Sequence, residues 1–293
     1  MFTVVVAAVV AVVGLWYSNV QTRQTNEQAQ QANARALDDR ALAKEAQITD
    51  RYTAAVGNLG EDKVDVRLGG VYALQRIMQD SRRDQPTIAN VLATYIRTHA
   101  AKPPAKDQDV PADVQAALTS LATRDTARDD TFLLDLHAAK LPNINLATTE
   151  ESAAALRGAD LSSSDLRDAN LTGADLRGAN LTGATLTGTT LRGANLNRAN
   201  LDSANLSSSD LSFMDLRGAN LNGTNLRDAD LSNANLSYTD LSYTDLSGAH
   251  LNGANLRDAN LSGTDLRGAK YLTREQVDSA LTDSDTQLPV LLW

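Results

Sequence analysis

The sequence predicts an α+β chain: a square coil of five-residue repeats fills the C-terminal half, helices precede it, and a short helix caps its end. Three observations carry this reading. Every fifth residue from Leu156 to Leu266 is leucine, 23 in succession without insertion or deletion. The column two residues before each leucine is small, with 15 Ala, five Thr, two Ser and the single bulky exception Met214. The N-terminal third instead holds an apolar run followed by segments whose apolar residues recur at helical spacing. A period of five fits neither a helix, near 3.6, nor a strand, near 2, and signals a repeat architecture.

Residues 1–20 are expected to form a transmembrane helix. FTVVVAAVVAVVGLWY is apolar apart from Thr3, and no charged side chain precedes Arg23. Extended to Val20 the segment gives about 30 Å of helix, the thickness of a bilayer core. Trp16 and Tyr17 stand where an interfacial aromatic pair would. A cleaved secretory signal fits less well, because no Lys or Arg precedes the run and no small-x-small site follows it. With Arg23, Arg35 and Arg40 on the C-terminal side, the positive-inside rule puts the bulk of the chain in the cytoplasm of a single-pass protein.

Residues 21–100 are expected to form a helical stalk and a small bundle. Gln21 to about Leu59 lacks proline and is rich in Gln, Ala, Arg and Glu; its first part has no large apolar stripe and reads as a solvated stalk. Ile48, Tyr52, Val56 and Leu59 then recur at helical spacing and should dock. A second helix follows from about Val64 to Gln79 with Val64, Leu68, Val71, Leu74 and Met78 on one side, and Gly69-Gly70 suggests close helix packing there. A third starts near Pro86, a favourable first-turn residue, and carries Ile88, Val91, Leu92, Tyr95 and Ile96.

Residues 101–131 read as a linker, from KPPAKDQD, plus a short amphipathic helix through Val114, Ala117, Leu118 and Leu121, after which Thr123 to Asp130 should be exposed. Residues 132–271 are the repeat domain. Leu136, Leu141 and Leu146 already keep the five-residue phase, which breaks at Glu151 and resumes at Leu156, so residues 132–155 should form an irregular first coil. The column before each leucine holds ten Asn and nine Asp, and the two columns after it are polar or glycine. Leucine and alanine pointing inward, with turns at Asn/Asp and Gly, make four pentapeptides close one 20-residue turn. Residues 272–293 leave the pattern: Thr273 and Gln276 fit a capping box, and a helix burying Leu272, Val277 and Leu281, with Leu288 to Trp293, should cover the open end.

ADLRGANLTGA and ANLNRANLDSANL resemble the pentapeptide-repeat family. The resemblance implies a right-handed quadrilateral β-helix with leucine and the small residue inside. The segment from Gln47 to Ala100 further resembles the region upstream of the repeats in bacterial pentapeptide-repeat membrane proteins. That implies a bacterial, anchored layout and brings no activity with it.

The chemistry of catalysis is missing. There are no cysteines, which removes disulfides, thiolate metal sites and cysteine nucleophiles. No phosphate-loop, dinucleotide, kinase or serine-hydrolase motif occurs. The outward Asp residues repeat one structural position and read as turn chemistry, and His99, His137 and His250 have no partner at ligand spacing. No catalytic, cofactor or metal residue is therefore assigned, and the chain reads as a non-enzyme. A net charge of −9 argues against nucleic-acid binding.

What remains is surface. With 20-residue coils, Arg157, Arg177, Arg217 and Arg257 stack on one face and Arg167, Arg227 and Arg267 on the opposite face. Asp168, Asp228 and Asp258 directly follow Arg167, Arg227 and Arg257 and would pair with them. Phe213, Tyr238 and Tyr243 stand in an outward column otherwise held by Gly, Ser, Asp, Asn and Arg. Exposed aromatics are enriched at protein interfaces. The expected function is a membrane-tethered scaffold that presents a rigid surface to a protein partner, a homo-oligomer being compatible. The alternative is a DNA-mimic inhibitor of a topoisomerase such as DNA gyrase, which some members of the resembled family are. Those members carry strongly negative rods and often inward Phe, whereas here all 23 centres are Leu and 13 Asp are offset by nine Arg and Lys270.

Overall fold

The computed structural model describes residues 2–105, 108–129, 132–147 and 153–290, with the backbone alone for residues 2–12. Two compact units divide the chain, Met1–Thr53 and Ala54–Trp293. The first unit is one helix, most of α1 (Phe2–Leu59). Its described side chains are exposed from Val13 to Gln47 apart from Val20, as a segment without an apolar stripe should be. Of the transmembrane helix expected over residues 1–20, the structure describes a helical backbone from Phe2. Most of its apolar run lies in residues 2–12, whose side chains fall outside the described set, and among the described residues no helix is long and apolar enough to cross a membrane.

In the second unit the end of α1 docks as expected, but through Ala55 and Leu59, with Val56 only half-buried. It meets α2 (Val64–Asp80), which together with α3 (Gln85–His99) and α4 (Ala112–Ala122) forms the bundle. Gly70 explains the close approach: a Cβ there would lie 2.7 Å from the Ala55 carbonyl oxygen, whereas Gly69 has open space. The core of the bundle is Val71, Leu74, Ile77, Ile88, Leu92, Ile96, Val114 and Leu121. Val64, expected on the buried side, is exposed. Asp113 is fully buried and joins three helices, accepting from Arg67 Nε of α2 and the Tyr95 hydroxyl of α3. Burial and then the Asp113 bond push the Tyr95 phenol upward. Burial works against the Asp113 carboxylate, and the bonds from Tyr95 and Arg67 overcome it and hold the group below its ordinary range.

The sequence reading separates the short helix α4 from the bundle as part of a linker; the structure corrects this. Leu118 of α4 faces Leu136, Leu141, Leu156 and Leu161 across a residual void of about 10 Å³, so α4 closes the N-terminal end of the leucine core. In the stretch after it, Thr123 and Asp125 to Ala127 are exposed as expected, but Arg124 and Asp129 fold inward. Arg124 and Asp129 are buried and paired at 2.8 Å, and Arg124 Nη1 donates to the carbonyl oxygens of Leu121 and Ala155. A charged pair can be buried there because each partner satisfies the other and the backbone takes the remaining donors.

From Ala155 the repeats form a four-sided β-helix. Parallel bridges join residues 20 apart from Ala155↔Asp175 to His250↔Lys270. Within most repeats the turn closes on itself, as in Ala179 N donating to Leu176 O at 3.0 Å, and neighbouring coils bond through the backbone, as in Leu176 N to Asn195 O at 2.8 Å. The first coil is irregular as expected: Asp135↔Asp160, Lys140↔Asp165 and Asn145↔Asn170 bridge over 25 residues. The phase break at Glu151 lies outside the described residues.

The inward columns are as the sequence implies, with every leucine of the repeat and Met214 buried. Where Thr or Ser replaces Ala inside, its hydroxyl finds a carbonyl: Thr189 donates to Leu166 O, Thr224 to Leu201 O and Ser164 to Leu161 O. The column before leucine, expected in water, is half-buried for the most part and Asp165 fully so. Its side chains accept from the amide two residues on, as Asn170 does from Thr172 N and Asp210 from Ser212 N, which is why Asn and Asp dominate it. The second residue after each leucine has positive φ, which accounts for its glycines.

The C-terminal end differs from expectation. The capping box at Thr273 and Gln276 forms, but α5 (Arg274–Asp278) is five residues long and buries none of them. Leu281, expected inside, is exposed, and Leu272 and Val277 are half-buried. The segment instead continues the ladder through Asn260↔Leu281 and Asp265↔Gln287, while Gln276 Nε2 donates to Leu251 O and Ala254 O. Unpaired backbone at the coil end is thus satisfied by an extra partial coil, the costlier deficit in a β-helix. The expected contribution of residues 291–293 lies outside the described set.

Candidate interaction surface

The 20-residue ladder places the Arg residues in the two rows the sequence implies. What the rows can do depends on their partners. In Asp165-Leu166-Arg167, Asp175-Leu176-Arg177, Asp215-Leu216-Arg217 and Asp265-Leu266-Arg267, leucine points inward while Asp and Arg flank it outside. Each guanidinium then grips the carboxylate two residues back with two bonds, as Arg177 does through Nε to Oδ1 at 2.7 Å and Nη2 to Oδ2 at 2.5 Å. The Arg167 pair has the same form, which corrects the expectation that Arg167 pairs with Asp168. Arg227 and Arg257, preceded two residues back by Asn, turn to Asp228 and Asp258 at 3.6 and 3.2 Å, as expected. The bonds from Arg177, Arg217 and Arg267 hold Asp175, Asp215 and Asp265 below the usual carboxylate range despite partial burial.

Six of the seven candidate arginines are therefore internally neutralised. Arg157 is the seventh. Ala155 stands where its carboxylate would be, and Arg157 forms no hydrogen bond or ion pair among the described residues. The recurring Asp-Leu-Arg triplet is the sequence signal that would have revealed this pairing.

The three aromatics are exposed, Phe213 by 56%, Tyr238 by 62% and Tyr243 by 71%, and all three have the left-handed backbone of their column, with φ of 59°, 60° and 57°. A bulky residue there costs about 1–2 kcal/mol. Phe213 lies under Arg192, 5.2 Å from its centroid, and Tyr243 leans over Gly263 of the next coil. They occupy three successive faces and do not merge into one flat patch. His250 is spoken for by Lys270, 3.0 Å away, and by an edge contact with Tyr271.

One grouping was missed from sequence. Asp135, His137 and Asp160 bring three donor atoms within 4.8 Å of one another, because the irregular first coil places Asp160 beside Asp135. The Arg97 guanidinium is on Asp135 and 3.4 Å from His137 Nδ1, so a cation would meet a fixed positive charge.

The Pentapeptide repeats family matches residues 154–193, 184–223, 209–248 and 234–270. Among solved structures, HetL, a pentapeptide repeat protein involved in heterocyst differentiation regulation from the cyanobacterium Nostoc sp., is 34% identical over 52% of this chain and 71% of its own, with a TM-score of 0.19. A pentapeptide repeat protein of the Arabidopsis thaliana thylakoid lumen is 32% identical over 36% of this chain and 69% of its own, with a TM-score of 0.22. QnrB1, a plasmid-mediated fluoroquinolone resistance protein, is 20% identical over 51% of this chain and 75% of its own, with a TM-score of 0.35. No curated protein sequence matches. The leucine and small-residue columns, the 20-residue ladder and the family match agree: the chain belongs to the pentapeptide-repeat family and carries its right-handed β-helix.

Proposed function

We propose that the protein is a non-enzymatic interaction module whose rigid β-helix presents a surface to a protein partner. The observation that carries this is the placement of Phe213, Tyr238 and Tyr243: large, exposed, and held in a left-handed conformation that glycine would adopt without cost. Glycine, the commoner residue of this column, would take the same backbone without strain, and Tyr and Phe are enriched where partners bind. We also propose a tether through residues 1–20 in a bacterial cytoplasmic membrane with the bulk of the chain in the cytoplasm, supported by the apolar run and the following arginines. Crosslinking with mass spectrometry in intact cells tests the partner reading. A dominant partner lost on Tyr238→Ser with Tyr243→Ser supports it, and a partner set unchanged by that variant overturns it. Recovery of the full chain in the soluble fraction after lysis would remove the tether.

The second reading is a topoisomerase inhibitor that mimics DNA, favoured by the excess of 13 Asp over nine Arg and Lys270 in residues 154–270. The bidentate Asp–Arg pairs weigh against it, because they cancel charge at the positions a duplex mimic needs negative. Inhibition of gyrase supercoiling by the full chain would decide for the mimic.

A further inference from the structure

Leu133, Gly158, Gly178 and Arg198 follow one another along one face of the solenoid. The bridges Asp135↔Asp160 and Ala155↔Asp175 set the register, and a Cβ on Gly158 would lie 3.6 Å from Leu133 Cδ2. The two glycines leave a floor without side chains between a leucine wall and an arginine wall. At about 4.8 Å per coil the walls are about 14 Å apart. Arg157, Arg177 and Asn197 run alongside in the neighbouring column, and these seven residues line an open depression of about 530 Å³. Leu133 is 68% exposed at its end.

The notch brings together two arginines without an ion pair among the described residues, whereas Arg192, which also lacks one there, lies over the Phe213 ring. Arg177 is committed to Asp175, but Arg157 and Arg198 have no hydrogen-bonded or ion-paired partner among the described residues. The cause lies in the sequence: Ala155 removes the carboxylate Arg157 would hold, and Arg198 sits one residue later than the arginines of the triplets. Arg198 also adopts φ of 58°, a conformation an arginine takes at a cost. Two arginines without a hydrogen-bonded or ion-paired partner among the described residues thus line one depression, the Arg198 stem running on past Gly218 of the next coil, where a Cβ would lie 3.8 Å from its Cγ, in a chain of net charge −9.

We propose that this notch docks an acidic peptide segment of a protein partner, its carboxylates on Arg157 and Arg198 and an apolar side chain on Leu133; this rests on the interaction reading above. A planar guanidinium matches a carboxylate with two parallel bonds. A span of about 14 Å holds roughly four extended residues at about 3.3 Å each. The surrounding Asp excess disfavours a long polyanion, and screening over about 8 Å confines the attraction to the notch. Inorganic phosphate would leave the Leu133 wall unused.

The test is fluorescence anisotropy of the full chain with a fluorescein-labelled peptide of one leucine followed by four glutamates. Binding should weaken as salt rises, and Arg157→Ala with Arg198→Ala should weaken it about tenfold or more, a loss of about 1.4 kcal/mol. Arg76→Ala with Arg274→Ala, the same change in net charge at exposed pairs elsewhere, should leave it unchanged. Leu133→Ser should weaken the leucine-bearing peptide and spare pentaglutamate. No binding, equal loss in both double variants, or full displacement by inorganic phosphate at matched ionic strength overturns the proposal. A crosslinked partner retained by Arg157→Ala with Arg198→Ala also overturns the notch while leaving the interaction reading standing, whereas the absence of any partner in cells with peptide binding intact overturns the reading and not the notch.

Discussion

Gly263→Ala tests whether Tyr243 is held in place or merely displayed. Gly263 has φ of 66°, and an added Cβ would stand 2.8 and 2.9 Å from Tyr243 Cδ1 and Cε1. Gly268, in the same end of the solenoid with φ of 70°, would bring its Cβ no closer than 3.8 Å to the Gly248 nitrogen. Both substitutions incur the left-handed cost of an L-residue, about 1–2 kcal/mol, and Gly268→Ala should show that cost alone. Gly263→Ala must also displace the ring, which should add about 1 kcal/mol. Tyr243→Ser should be mild, since Ser163, Ser203 and Ser208 occupy the same kind of position at φ of 55°, 56° and 58°. Combined with Gly263→Ala it should cancel the added term, leaving a coupling of about 1 kcal/mol in the double-mutant cycle. Urea midpoints at constant m-value are the assay. Equal losses at Gly263 and Gly268, or no coupling with Tyr243, would refute the claim that the coil fixes the ring, and with it the argument that Tyr243 is a preorganised contact.

Three further outcomes are expected. Leu206→Ala empties part of a column with no exposed neighbour inside and should cost about 2–5 kcal/mol in chemical denaturation. Asp113→Ala leaves Arg67 and the Tyr95 hydroxyl without their shared acceptor and should cost about 3–5 kcal/mol; near-wild-type stability would show that the cluster is incidental. Because Asp175, Asp215 and Asp265 have depressed pKa values in the folded state, their contribution is complete above the unfolded carboxylate value of about 3.9 and is lost as pH falls through the folded values. Urea midpoints should hold steady above about pH 5 and fall below about pH 4, and replacing Arg177, Arg217 and Arg267 by Gln should shrink that acid loss.

How far the sequence could be read follows the range of the interactions. The leucine column, the turn chemistry of the Asx column and the helices α1 to α4 are set by neighbours within a few residues, and all were legible. The irregular first coil was visible as a phase break at Glu151, and only the three bridges that cross it span 25 residues, those from Ala155 to Lys270 spanning 20. Missed were contacts that join distant segments: Leu118 over the leucine core, Arg124 with Ala155, and Asp135 beside Asp160. The terminal helix was misjudged for a different reason. Its capping box correctly predicted a helix start, but the open end of a β-helix lacks hydrogen-bond partners more than apolar cover, so residues 279–287 extended the ladder and α5 stayed short.

The outward aromatics and the arginine rows were legible, but not which arginines are neutralised, and the reason lies in pairing. An outward Arg after an inward Leu is neutral or free according to one residue, the one just before the leucine. Aspartate there gives a closed bidentate pair, as at Asp175. Asparagine there releases the Arg to a following Asp, as at Asn225 and Asn255. Alanine at 155 does neither, so a repeat that departs from its column leaves Arg157 without a partner among the described residues, beside a floor of two glycines and an Arg198 likewise without one. A solenoid whose repeats are nearly interchangeable inside cannot place a binding site by its core, since each coil offers the same leucines. It can place one only where an outward column breaks its own rule, and Ala155 is such a break. Restoring the rule is therefore the sharpest intervention: Ala155→Asp should close Arg157 onto its own chain, leave the fold intact, and weaken peptide capture in the notch as much as Arg157→Ala does. If Ala155→Asp binds the acidic peptide as the parent does, pairing does not govern what this surface offers.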